Sequence, residues 1–298
     1  MKSKIQFLLS MVIFGTIGVF IRYIDLASSE IALLRGLIGS LFLITYMLIG
    51  KKKISWASIK NNIYIFLLSS ITLGGNWIFL FQAYKYTTVS NAALSYYFAP
   101  VIVLILSPLV LKEILSTKKL ICIVIAIFGM LLVVASGGLG TARLEDFIGI
   151  GYGLLAAVFY ASLMLLNKFI KNMGDLEITL IQLGTASLLL IPYVFITEGF
   201  GILDVSVSSI PFIIILGIVH TGIGFLLFFS GMQKLNGQSI AALSYVDPIT
   251  SLLISTVFLH EKMTIVQMIG GALLLSSTFV SENHSWRLSK PFLKKPVK

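Results

Sequence analysis

The chain has 298 residues, of which 57% are hydrophobic and only 11% charged, and its mean hydropathy is +1.00. A soluble domain carries roughly 25% charged residues, so too little charge exists here to cover a water-facing surface, and lipid must surround most of the chain. The net charge of +10 does not indicate nucleic acid, because the basic residues sit in short clusters between apolar runs rather than on one face with interleaved aromatics.

A helix needs about 20 mostly apolar residues to cross a hydrocarbon core of about 30 Å. In chain order the apolar runs predict ten spans, near 5–24, 30–49, 62–84, 88–111, 119–136, 147–169, 176–197, 210–232, 238–258 and 264–281. These runs are too long and too evenly apolar for barrel strands, which alternate over roughly ten residues. A helix also satisfies its own backbone groups in lipid. The expected fold is therefore an all-α membrane protein of ten transmembrane helices.

The start, Met1-Lys2-Ser3-Lys4 before an apolar run, resembles a secretory signal. No A-x-A-like site closes that run, and it is read as a retained first span. Cys122 lies inside an apolar run, where a lone cysteine behaves as a small core hydrophobe. Arg22, Lys85, Arg143 and Lys262 fall on one side of the predicted membrane and Arg35 falls inside the second span. The remaining seventeen lysines and arginines fall on the other side. The positive-inside rule makes that side cytoplasmic and predicts a multi-pass protein of the cell (plasma) membrane with both termini in the cytoplasm. Residues 283–298 form a basic cytoplasmic tail, suited like Lys51–Lys53 to anionic headgroups.

Shifted by 148 residues, Ala93, Tyr97, Pro100, Leu104, Ser107, Leu111 and Glu113 meet Ala241, Tyr245, Pro248, Leu252, Ser255, Leu259 and Glu261. Shifted by 147, Glu30, Ile31, Leu33, Ser40 and Leu41 meet Glu177, Ile178, Leu180, Ser187 and Leu188. Apolar composition produces leucine matches, but not two glutamates, a proline and a tyrosine in register. The chain thus reads as two five-helix repeats, 1–141 and 142–282. Five spans are an odd number, so the second repeat enters the membrane inverted, a plan that lets a secondary transporter alternate between two nearly mirrored states.

Several residues stand out as candidates for substrate binding and translocation. Asp247 is nine residues from Gln238, about 14 Å of helix rise, and a carboxylate near the midplane is costly enough to be rarely idle. It reads either as a contact for a substrate amine or a protonatable coupling group, or as a structural acceptor for Ser244 or Tyr245. Its repeat partner is Ala99, so its role is not duplicated. Pro100 and Pro248 are expected to kink their spans mid-way, as hinges or as packing kinks, because proline removes a donor and clashes with the preceding turn. Tyr97 and Tyr245 lie about one helical turn before those prolines and suit either a cavity wall or packing. Asn76 and Trp77 follow two glycines that permit close helix approach. His220 is the histidine placed well inside a span and suits proton traffic or a structural hydrogen bond. Arg35 is expected to snorkel toward the interface near Glu30, and Glu113 and Glu261 read as boundary residues that pin the repeat geometry.

The chain resembles the drug/metabolite transporter superfamily, in its EamA-like group of ten-span proteins. Phe14-Gly15, Arg35 within "ALLRGLIGS", "AALSYYFAPVIVLILSPLVLKE" from Ala92 to Glu113 and "AALSYVDPITSLLISTVFLHE" from Ala241 to Glu261 carry the resemblance. The Pro-to-Glu spacing in both halves is its most specific element, and Phe14 departs from the tryptophan often found there. The resemblance implies two EamA-like repeats around a central cavity lined by spans one, three, four, six, eight and nine. It also implies efflux or exchange of small solutes such as amino acids and related amines. A small-molecule substrate, the lipid bilayer and, as a candidate coupling ion, the proton are the expected partners. No G-x-x-x-x-G-K-[ST] motif occurs, so energy would come from a gradient or a partner. No cofactor or metal is expected, since His220, His260 and His284 are far apart in sequence. Nor is enzymatic activity, since no G-x-S-x-G or H-E-x-x-H motif appears. A broad-specificity drug efflux transporter and a non-transporting receptor or assembly subunit stand as alternatives.

Overall fold

A computed structural model describes residues 2–51, 56–111, 117–138, 144–170, 172–199, 201, 205–232, 243 and 246–282. Among these residues the secondary structure is entirely helical. The helices are α1 (Lys2–Gly15), α2 (Ile17–Arg22), α3 (Ser28–Ile49), α4 (Trp56–Asn61), α5 (Ile63–Tyr86), α6 (Val89–Tyr96) and α7 (Ala99–Val110). There follow α8 (Thr117–Gly138), α9 (Leu144–Asn167), α10 (Asp175–Thr197), α11 (Ile210–Ile215), a π-helical segment (Leu216–Ile223), α12 (Gly224–Met232), α13 (Val246–Phe258) and α14 (Ile265–Glu282).

Seven segments are long and apolar enough to cross a membrane: Lys2–Arg22, Ser28–Ile49, Ile63–Tyr86, Val89–Val110, Leu144–Asn167, Leu176–Thr197 and Ile210–Phe228. Three shorter apolar helices, Leu120–Val133, Val246–Phe258 and Ile265–Ser277, join them. Leu48, Ile49, Val124, Leu131, Leu253 and Val257 present large apolar side chains outward. An outer surface of this kind suits lipid rather than water. Inside, Ile21, Ile31, Leu43, Phe81, Val89, Leu183 and Leu216 belong to one buried cluster that ties α2, α3, α5, α6, α10 and the π segment together.

Helix starts follow from side chains that satisfy orphan amides. The Glu30 Oε2 accepts from the Ala27 amide at 2.8 Å at the start of α3, and Glu177 Oε2 accepts from the Gly174 amide at 3.1 Å at the start of α10. Thr264 and Gln267 form a full capping box for α14: the Gln267 side-chain Oε1 accepts from the Thr264 backbone amide at 2.7 Å and the Thr264 hydroxyl accepts from the Gln267 backbone amide at 3.1 Å;. The α8 and α14 helices pack together where two glycines cross. A Cβ on Gly129 would lie 2.7 Å from the Gly270 carbonyl, and one on Gly270 would lie 2.6 Å from the Gly129 carbonyl. This is close helix approach through small residues.

One feature differs from the sequence expectation. Pro100 does not bend a continuous helix; it occupies the first turn of α7, after a break at Tyr97 and Phe98. Proline suits that position because the missing amide would have no intrahelical partner there. Pro248 is the third described residue of α13 and is buried. The segment 238–258 is described as a helix only from Val246, and Glu113, Ser244, Tyr245 and the tail 283–298 lie outside the described residues.

Candidate functional site

The first span breaks at Thr16, between α1 and α2. Its hydroxyl pairs with His220 Nε2 at 2.8 Å, and His220 Nδ1 lies 3.3 Å from the Ile215 carbonyl. His220 is buried in the π segment with its ring edge-on to Phe20 at 4.7 Å. Both ring nitrogens are thus occupied by protein partners. The next residue, Thr221, donates its hydroxyl to the Leu216 carbonyl at 3.0 Å, five residues back in keeping with the wider π turn. Such turns are often found at functional sites.

Thr221 also accepts from Arg35 Nε at 2.7 Å. Arg35 is 4% exposed, and its guanidinium lies 4.8 Å from the centre of the Trp77 ring and 5.7 Å from that of Phe81. The expected snorkelling is therefore overturned: the side chain runs inward along α5 and the π segment, where two aromatic faces and a hydroxyl stabilise it. Beside Trp77, Asn76 donates to the Ala156 carbonyl at 2.8 Å, tying α5 to α9. Asn76 also lies in hydrogen-bonding range of the Tyr96 hydroxyl. Trp77 and Asn76 are both buried.

Asp247, in the first turn of α13, completes the arrangement. A Cβ on Gly15 would lie 2.6 Å from the Asp247 carbonyl, which fixes α13 against α1 beside the Thr16 break. The Asp247 carboxylate is within hydrogen-bonding range of the Tyr97 hydroxyl. Tyr84, Tyr96 and Tyr160 are close enough to interact with it electrostatically. Tyr96 stands beside Tyr160, with ring centres 5.3 Å apart, and beside Tyr97 at 5.5 Å. Asp247, Tyr96, Tyr97 and Tyr160 are half-buried rather than sealed. A carboxylate faced by several phenols in low dielectric can bind a cation or exchange a proton without leaving the wall.

Of the residues singled out from the sequence, Asp247, Tyr97, Asn76, Trp77 and His220 are joined by this chain of contacts through Thr16, Thr221, Arg35 and Tyr96. Pro100 stands two residues after the break at Tyr97 and Phe98, Pro248 stands one residue after Asp247, and Tyr245 lies outside the described residues. Arg35, Tyr96, Tyr160 and Thr16 are the additions. An arginine within an apolar span was the signal available for the first of them. Among the described residues no cluster of three or more His, Cys, Asp or Glu side chains has the form of a metal site.

A separate polar belt closes one end of the bundle. Glu261 accepts from the Val89 and Ser90 amides and the Ser90 hydroxyl, and Arg22 Nη2 lies 3.9 Å away. Arg22 also donates to the Thr87 carbonyl, the Thr87 hydroxyl donates to Asp146 at 2.8 Å, and Gln267 donates to Asn91 at 2.8 Å. At the same end a recess of about 410 Å³ opens between α3, α5, α9 and α10, lined in part by Ser28, Gln82, Lys85, Tyr152 and Glu198.

This is a multi-pass helical membrane protein with a polar, partly accessible wall assembled from interrupted helices. The chain belongs to the EamA-like transporter family, whose profile matches it twice, over residues 1–135 and 147–282. It is 33% identical to an uncharacterized transporter, YxxF, of Bacillus subtilis (strain 168), over 90% of this chain and 85% of that protein. It is 29% identical to an uncharacterized transporter of Archaeoglobus fulgidus over 94% of both chains. It is also 25% identical to the uncharacterized inner membrane transporter YicL of Salmonella typhimurium, over 97% and 98% of the two chains. A solved crystal structure shares its fold, with a TM-score of 0.64 over 94% of this chain and 96% of the other at 18% identity. The protein is a membrane transporter of the EamA type, consistent with the drug/metabolite transporter superfamily.

Proposed function

We propose that this protein is a secondary transporter that exports small metabolites such as amino acids or related amines by alternating access. In this reading the seven long spans and three shorter apolar helices all cross the plasma membrane, ten in number, with both termini cytoplasmic. The two family matches correspond to inverted five-helix repeats, 1–141 and 142–282, and residues 283–298 are a cytoplasmic tail. Asp247 receives the substrate's cationic group or a coupling proton. Tyr97, Tyr245, Asn76, Trp77 and His220 line the path, and Pro100 and Pro248 act as hinges.

The observation that carries this reading is the placement of Asp247 against Gly15 and beside Tyr97, next to the break at Thr16. It joins the first turn of α13 to the end of α6, so a carboxylate from one family match meets a hydroxyl from the other beside a helix break. An ionisable residue at such depth is costly and usually functional. An interruption of the helix there frees backbone groups to line a path.

The test is reconstitution of the purified protein in liposomes, with uptake of amino acids, amines and dyes followed with and without a pH gradient. Gradient-stimulated flux of amino acids or amines is the expected result. Flux of dyes across several chemical classes would favour broad drug efflux instead. No flux from folded protein would favour a receptor or assembly subunit.

A further inference from the structure

Helices α9 and α10 follow one another in the chain, yet they scarcely touch, and both pack instead against α5. At one end of the bundle the gap between them stays open as the recess of about 410 Å³. Sites that take one small ligand have volumes of about 300–1,000 Å³. The lining comes from the start of α3, the last part of α5, the first third of α9 and the end of α10. These are the ends of four apolar spans, so the recess lies at the level where a membrane meets water. Tyr152 and Tyr193 line it, and tyrosine is the residue type that gathers at that level.

The recess changes character with depth. Lys85 is the last residue but one of α5, and Glu198 follows the last residue of α10. Ile78, which forms part of the floor, lies eight residues before the end of α5, about 12 Å of helix rise further in;. Leu155 on α9 and Leu189 on α10 stand about one turn further in than the two tyrosines and present exposed apolar side chains. A polar mouth over apolar flanks, open sideways between two spans, has the polarity of a phospholipid with its headgroup above and its chains beside.

Two buried serines at the start of α3 orient that mouth. Ser28 donates to Gln82 Oε1 at 2.7 Å, and Ser29 donates to Glu198 Oε1 at 3.0 Å. The Gln82 amide nitrogen, the Glu198 Oε2 and the hydroxyls of Tyr152 and Tyr193 have no hydrogen-bond partner among the described residues. Lys85 donates to the Leu26 carbonyl, and no carboxylate of the described residues lies within 4.0 Å of it. An ammonium and three neutral donors thus face the recess together with one carboxylate oxygen. A phosphate diester matches the donors, and a primary ammonium matches the carboxylate.

We propose that this recess holds the headgroup of a phospholipid that carries both a phosphate and a primary ammonium, the chemistry of phosphatidylethanolamine. Lys85, Gln82 and the two phenols take the phosphate, and Glu198 takes the ammonium. The lipid chains run along Leu155 and Leu189, and the bound lipid braces α9 and α10 where they do not brace each other. None of the lining residues belongs to the wall around Asp247, so the inference stands apart from the role proposed for that carboxylate.

The experiment uses full-length protein, purified in detergent and stripped of lipid. It is titrated with dioleoyl phosphatidylethanolamine, with the corresponding phosphatidylcholine and phosphatidylglycerol, and with free O-phosphoethanolamine. Bound lipid is counted by native mass spectrometry, and thermal unfolding is followed in parallel. One phosphatidylethanolamine should bind at least about threefold more tightly than either other lipid, a difference within reach of a partly exposed charge pair. It should also raise the unfolding temperature more than they do. Glu198→Gln should remove the preference over phosphatidylglycerol, which has no ammonium. Lys85→Gln should weaken all three lipids at least about threefold. Both side chains are exposed, so these substitutions leave the core untouched. Tyr193→Phe removes only a hydroxyl and should weaken all three lipids as well.

Equal binding of the three lipids by the wild type would overturn the inference. So would an unchanged preference in the folded Glu198→Gln protein together with unchanged affinities in the folded Lys85→Gln protein. Free O-phosphoethanolamine bound as tightly as the lipid would overturn it too, by making the recess a site for solutes.

Discussion

The Glu261 carboxylate holds the Val89 amide at 2.7 Å, across 172 residues of chain. It caps α6 from outside, because Thr88 already supplies its hydroxyl to the Asn91 amide. Together the two satisfy three of the amides that the start of α6 leaves exposed. The contact also joins the two segments matched by the family profile at one end of the bundle.

Replacing Glu261 with alanine should therefore cost about 0.5–2 kcal/mol, the range for loss of a helix cap. The measurement is the unfolding temperature of the purified protein in detergent. Arg22→Gln should cost less, because Arg22 stands 3.9 Å from Glu261 with a third of its side chain exposed, and exposed pairs contribute little. An equal loss from both variants would assign the stability to the contacts of Arg22 with Glu261 and the Thr87 carbonyl rather than to the cap.

At Gly129 the backbone of α14 leaves no room for a side chain. Gly129→Val should cost about 1–3 kcal/mol through overpacking, and should lower the yield of folded protein. Gly184 provides the contrast: nothing lies within 4 Å of a Cβ placed there, and alanine is the better helix former. Gly184→Ala should leave the unfolding temperature unchanged or slightly raised.

His220 is held by Thr16 and Ile215 through both ring nitrogens. Thr16→Val and His220→Asn should each lower stability, and in a double-mutant cycle the two should couple by about 0.6 kcal/mol, the average for hydrogen bonds between membrane helices. Neither should abolish a pH-gradient response of transport, because Asp247 is the proposed coupling group. Loss of the response in a folded His220→Asn protein would move the proton to the histidine.

The long apolar runs made the helices legible because hydropathy over about 20 residues reports the cost of lipid exposure directly. The predicted start at 62 and end at 84 lie within two residues of Ile63–Tyr86, for example. Asp247, Asn76 and His220 were legible for the same reason, each being a polar group in an apolar run. The course of Arg35 was not. A long side chain in a span runs toward the interface or the interior according to what receives it, and its acceptor, Thr221, is 186 residues away. The π segment was equally hidden, since the sequence LGIVHTGI differs little in composition from an ordinary apolar helix. Pro100 was found mid-span but the break just before it was not, because a proline that bends a helix and one that opens a new helix leave the same mark in a sequence.

The role of Asp247 is tested by uptake into liposomes carrying the Asp247→Asn variant, compared with wild type at equal folded protein and with a pH gradient imposed. The variant keeps the size of the side chain and a partner for Tyr97 but not the charge. Loss of gradient-driven uptake, with the unfolding temperature near that of the wild type, is the predicted result. Undiminished gradient-driven uptake by the folded variant would contradict it.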